Sequence, residues 1–185
     1  SLVSMKRSSS GVLNQQQSPF FSQIVNLPDK YAEATGRNLC AFVDRFVGLM
    51  AAVLLNGSKT VFQDPLAKFK CLIDKVPEVF PLYADVIKES QKYHSNYEMA
   101  TVLCFCLIKK REIAQFFSDI FQNDEFLRVF YEPTAVILDQ EIRDILSFTL
   151  QFVMSQPLGM IDLHEDILYR SMELRSLINS QSTQK

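Results

Sequence analysis

The sequence predicts an all-α fold, a compact bundle of about eight helices. Three observations carry this expectation. Apolar residues recur at spacings of three and four along most of the chain. Turn residues are scarce, with 5 Gly and 7 Pro in 185 residues, and they lack the regular spacing of an all-β chain. No period-two alternation long enough for a strand and no internal repeat is present.

The elements follow in order. Residues 1–18 are polar, with Ser8-Ser9-Ser10 and Gln15-Gln16-Gln17, and read as a disordered lead-in. Lys6-Arg7-Ser8 and Ser18-Pro19 have the form of kinase sites, and a plain linker is the simpler reading. A single helical domain is expected over 19–180. Phe20, Phe21, Ile24, Val25 and Leu27 suggest a short helix stopped by Pro28. Asn38 is placed to cap a helix starting at Leu39, apolar on most faces and therefore central. Asn56-Gly57 supplies a left-handed stop. Asp64-Pro65 restarts the chain with Pro at the first helical position. Leu66, Phe69, Leu72, Ile73 and Val76 keep helical spacing up to Pro77, and a second start runs from Val79 to Lys92.

Tyr93 to Tyr97 is a polar break. A nearly all-apolar helix follows from Met99 to Ile108 and is interrupted by Lys109-Lys110-Arg111-Glu112. Ile113, Phe116, Phe117, Ile120 and Phe121 continue, and Asn123-Asp124 opens a short helix carrying Phe126, Leu127, Phe130 and Tyr131. Pro133 begins or kinks the next helix, which is amphipathic through Ile142, Ile145, Leu146, Leu150 and Val153. After a Pro157-Leu158-Gly159 loop, a last helix is expected from Asp162 to Ile178. Its Leu163, Ile167, Leu174 and Leu177 lie on one side, a stripe that suits self-association through a coiled coil.

Composition narrows the function. A net charge of −2 argues against nucleic-acid binding, which needs a concentrated basic face. The longest apolar run, Leu39 to Leu55, is broken by Asp44 and Arg45 and falls short of a membrane span. Cys40, Cys71, Cys104 and Cys106 sit in apolar stretches without a CxxC, as buried free thiols of a reducing compartment would. Cys104 and Cys106 point about 200° apart on a helix, a poor arrangement for a shared metal. Asn56-Gly57-Ser58 matches a glycosylation pattern but reads better as a helix stop. No Gly-rich phosphate loop, GxSxG or HExxH is present, and only His94 and His164 occur. His164-Glu165-Asp166 diverge on consecutive helical positions and suit a solvated first turn. We therefore expect no catalytic centre, no metal and no cofactor. The one dense basic run, Lys109-Lys110-Arg111, is the candidate partner surface. Phe at helical spacing is read as core.

One stretch resembles a known family. The apolar helix from Met99, the Lys-Lys-Arg-Glu step, Ile113 to Ile120, then Asn123-Asp124-Glu125-Phe126-Leu127-Arg128-Val129-Phe130-Tyr131-Glu132-Pro133 with Ala135, Leu138 and Asp139, is similar to the C-terminal half of a RUN domain. About 55 residues carry the likeness, and Leu39 to Lys75 fits loosely as an opening helix pair. The chain departs from the pattern at Thr134, where Trp is common, and at Thr101 and Phe105, where Arg is typical. The resemblance implies a bundle of about eight helices. It also implies a non-enzymatic, cytoplasmic adaptor of membrane traffic or motor-based transport, recruited to endosomal, lysosomal or other vesicle membranes. Its partners would be small GTPases of the Rab, Rap or Arf kind, or kinesin motors. Phe130, Tyr131 and Pro133 are expected to lock two helices together. The alternative is a helical scaffold or oligomerisation segment of a larger tethering complex.

Overall fold

The computed structural model describes residues 19–35, 37–58, 68–160, 163 and 165–179. These form ten α-helices and three short 3-10 turns, and no strand occurs among them. The helices are α1 (Pro19–Val25), α2 (Leu27–Ala32), α3 (Arg37–Leu55), α4 (Lys68–Val79), α5 (Ala84–Ser90), α6 (Asn96–Lys109), α7 (Ile113–Phe121), α8 (Asp124–Phe130), α9 (Gln140–Ser155) and α10 (Ile167–Asn179). The expected lead-in and the Asp64-Pro65 restart lie outside the described residues.

Helices α3 and α6 pair at the centre, and α10 lies across both. Helix α5 flanks α6, α4 packs on α5, and α9 packs against α1, α2 and α7. The core is rich in Phe: Phe20, Phe46, Phe69, Phe116 and Phe117 are all but sealed from solvent. Edge-to-face rings tie α7 to Tyr83, whose centroid is 5.0 Å from that of Phe116. Over Asn38–Leu55 the mean hydropathy reaches 1.7, which by length and composition alone suits a bilayer span, longer than the sequence reading allowed. Here it reflects a central helix, with Val43, Met50, Val53 and Leu54 fully buried in the bundle.

Several boundaries differ from expectation, each for a local reason. Pro28 starts α2 instead of stopping α1, because a first-turn residue has no intrahelical N–H partner to lose. The chain breaks two residues earlier, at Asn26. Pro77 sits inside α4, two residues from its end, where only one ladder bond is forfeited. The second start there begins as a 3-10 turn, Pro81–Tyr83, before α5. Helix α3 begins at Arg37, so Asn38 lies within its first turn instead of capping it. Ser95 caps α6, its hydroxyl accepting from the Tyr97 N–H at 3.2 Å. Pro133 does not open a helix. It stands at the second position of a turn closed by Ala135 N–H on Glu132 O at 2.9 Å, and α9 starts later, capped by Asp139. Helix α10 starts at Ile167, and Asp166 caps it by accepting from Tyr169 N–H at 3.1 Å. The expected start at Asp162, and His164, fall outside the described residues.

Candidate partner-binding surface

The Phe130–Pro133 segment is fastened to the end of α3 and not only between its neighbouring helices. Gly57 has φ +69°, the left-handed stop after α3, and lets the chain run beside Tyr131 as an isolated antiparallel bridge from Ser58. Glu132 N–H donates to Gly57 O at 2.7 Å, and Val136 N–H donates to the Asn56 side-chain oxygen at 2.9 Å. The buried Tyr131 hydroxyl donates to Leu54 O at 2.7 Å. Burial pushes that hydroxyl far above its ordinary pKa, so it stays a donor. A Cβ on Gly57 would lie 2.5 Å from the Cβ of Ala135. Phe130 is buried against Phe126, whereas Pro133 and Thr134 are exposed at the turn.

The basic run closes α6 and is largely engaged. Arg111 has φ 60°. Its N–H donates to Ile108 O at 3.0 Å, while Glu112 N–H reaches back to Leu107 O at 2.8 Å. This is a Schellman end in which Arg occupies the position glycine normally takes. The Arg111 guanidinium meanwhile donates to Met154 O at the end of α9. Lys109 pairs with Glu165 at 2.6 Å and lies 5.1 Å from the Phe105 ring. That lysine draws the Glu165 carboxyl below its ordinary pKa. Lys110 is exposed and forms no ion pair among the described residues.

Sequence reasoning missed the contact that seats α10. Arg170, buried at 4% exposure, forms an ion pair with Asp44 of α3, 126 positions away, and lies 5.0 Å from the Phe105 ring. The available signal was a charge inside the apolar α3, unexplained until its counter-charge is found. Of the stripe expected to self-associate, Leu174 is buried in the bundle and Leu163, Ile167 and Leu177 are partly buried against it.

Between α1–α2, α3 and α10 opens a groove of about 740 Å³. Ala41, Phe42 and Leu177 keep apolar surface open along it, over the buried Leu27, Phe46 and Leu174, and charges of both signs line it, Lys30 and Arg45 with Glu33 and Glu173. Apolar surface bordered by charge of both signs has the composition of a surface that can take a protein segment. Tyr83 donates to Asp119 at 2.5 Å and its pKa is raised, mainly by burial and then by that carboxylate. Cys104 is buried and its thiol is pushed up by burial; Cys106 is half-buried and shifted the same way, burial outweighing its nearby lysines. Cys40 and Cys71 are half-buried, less enclosed than expected. Among the described residues no cluster of three or more His, Cys, Asp or Glu could hold a metal.

A sequence model of the RUN domain matches residues 13–156, which takes in α1 to α9 and leaves α10 outside. No curated protein and no solved structure matches the chain.

Proposed function

Because the chain belongs to the RUN domain family, whose members are protein-interaction domains linked to small-GTPase signalling and membrane traffic, we propose that it is a non-enzymatic adaptor. Its partner on this reading is a small GTPase of the Rab, Rap or Arf kind, or a kinesin chain. It acts in the cytoplasm and is brought to endosomal, lysosomal or other vesicle membranes through that partner.

The groove between α1–α2, α3 and α10 is the observation that carries the reading. Burying an apolar segment on Ala41, Phe42 and Leu177, which keep open apolar surface, supplies affinity, and Lys30, Arg45, Glu33 and Glu173 set orientation and on-rate. Of the basic run, Lys110 is the residue we assign to a partner. Lys109 and Arg111 are committed to Glu165 and Met154.

The test is a pull-down of this chain, its fold confirmed by circular dichroism, against GTP- and GDP-loaded Rab, Rap and Arf proteins and kinesin chains. We expect one or a few partners, weakened about tenfold or more by Arg45→Glu with Lys30→Glu, and less by Lys110→Glu. Silence across the panel with folded protein refutes the reading. Binding that ignores the groove variants refutes the assigned surface.

A further inference from the structure

Six tyrosines occur in the chain, and one of them stands apart. Tyr83 and Tyr131 are buried, each with its hydroxyl given to an acceptor inside the bundle. Tyr31 stacks on Phe152 at 4.9 Å, Tyr97 lies under the Arg175 guanidinium at 5.0 Å, and both, with Tyr93, are half-buried. Tyr169 alone is exposed, at 46%. It is the third residue of α10, whose first turn follows the non-helical residues 165 and 166, so fraying of that one turn presents it as extended chain. Glu165 and Asp166 precede it by four and three positions. An exposed phenol at a helix start, with acids on its N-terminal side to meet a basic peptide-binding site, has the form of a tyrosine-kinase acceptor.

The neighbours of the hydroxyl decide what a phosphate does there. The hydroxyl is hydrogen-bonded to the Glu173 carboxylate, one turn on, and senses the Asp44 carboxylate of α3. That hydrogen bond is the first cause of its raised pKa, followed by the charge of Glu173. A phosphate carries a charge of about −1.5 to −2 near neutral pH. It has lost the phenolic proton that Glu173 accepts, and it stands between two carboxylates. Asp44 is also the counter-charge of the buried Arg170, which follows Tyr169 in the chain. Repulsion drives Asp44 from this corner, or Arg170 turns from Asp44 to the phosphate. In both cases the ion pair that seats α10 on α3 opens. The positive end of α10 favours an anion in its first turn. That attraction is weak at an exposed site, and the phenol reaches on to Glu173, away from that end.

We propose that Tyr169 is a phosphorylation site and that its phosphate releases α10 from the bundle. A tyrosine kinase with ATP supplies the group. The phenolic oxygen attacks the γ-phosphorus, the bond to ADP breaks, and the phenolic proton passes to the base of the kinase. The released helix is the one beyond the residues matched to the family. Asp44, Arg170, Glu173 and Leu174 all line the groove, so release takes away one of its walls. Loss of a partner from the groove is the only consequence that rests on the function proposed above.

The test treats this chain with a broad-specificity tyrosine kinase and MgATP, locates phosphate by peptide mass spectrometry and follows hydrogen exchange. One phosphate is expected, on Tyr169, and none on Tyr169→Phe. Amide exchange across 167–179 should quicken about tenfold or more on phosphorylation, while α7 and α9 keep their protection. Unphosphorylated Tyr169→Phe should exchange like the parent, which separates the phosphate from loss of the phenolic hydrogen bond. Glu173→Gln should lessen the quickening. A folded chain that takes no phosphate on Tyr169 overturns the proposal, as does phosphate spread evenly over the tyrosines. Phosphate on Tyr169 with α10 exchange unchanged overturns the release. None of these readouts needs a partner, so a silent pull-down leaves them standing.

Discussion

Near its C-terminal end, α3 is held by main-chain groups: Gly57 O takes the Glu132 N–H, and Leu54 O takes the Tyr131 hydroxyl. Towards its N-terminal end it is held by a side-chain ion pair, Asp44 with Arg170 of α10. The first attachment lies within residues matched to the family, and the second reaches a helix beyond them. The two differ in how they fail. A main-chain tie depends on the path of the backbone, so it breaks when any side chain blocks the approach. An ion pair depends on both charges being present, so it breaks when one is removed and nearly recovers when both are.

The sharpest way to break the first tie is Gly57→Val. It forces a β-branched residue into φ +69° and a Cβ 2.5 Å from Ala135. We expect a loss of about 3–5 kcal/mol in urea denaturation, the sum of left-handed strain and overpacking. Asp44→Ala breaks the second tie and leaves the Arg170 guanidinium buried. Asp44 is itself 27% exposed, so about 2–3 kcal/mol is expected, below the range for a fully enclosed pair. Asp44→Ala with Arg170→Met should recover most of it, a response Gly57→Val cannot show under any second substitution in α10.

Smaller effects sharpen the contrast. Tyr131→Phe removes one buried hydrogen bond to Leu54 O and should cost about 1–2 kcal/mol in a thermal melt. The folded state keeps this hydroxyl protonated, its pKa raised by burial. Stability from that shift is complete below the unfolded tyrosine value of about 10 and falls as pH rises beyond it. Tyr131→Phe should therefore flatten the alkaline limb of a pH–stability curve. Smallest is Arg111. Arg111→Ala loses the Met154 contact and keeps φ 60°, whereas Arg111→Gly loses the contact and relieves the backbone. The glycine variant should be the more stable of the two by about 1 kcal/mol, read by the same melt.

Much of the helical order was legible, since the periodicity of Phe116, Phe117 and Ile120 or of Ile142, Leu146 and Leu150 comes directly from which face is buried. The prolines were harder. Each of Pro28, Pro77 and Pro133 has a different allowed place — first turn, last turn, second turn residue — and the sequence alone does not choose among them. The surface was hardest. Lys109-Lys110-Arg111 reads as one patch, yet Glu165 and Met154 claim two of its three charges from 56 and 43 positions away. The groove joins α2, α3 and α10, and no local pattern announces a cleft made by helices so distant in the chain.

The guanidinium of Arg170 lies 5.0 Å from the Phe105 ring and the ammonium of Lys109 lies 5.1 Å from it. Along the chain Phe105 is one more apolar residue of an apolar helix. In space it is the seat of two cations, one of them delivered by a helix outside the matched segment. What a point in the fold carries is not written at the position that occupies it.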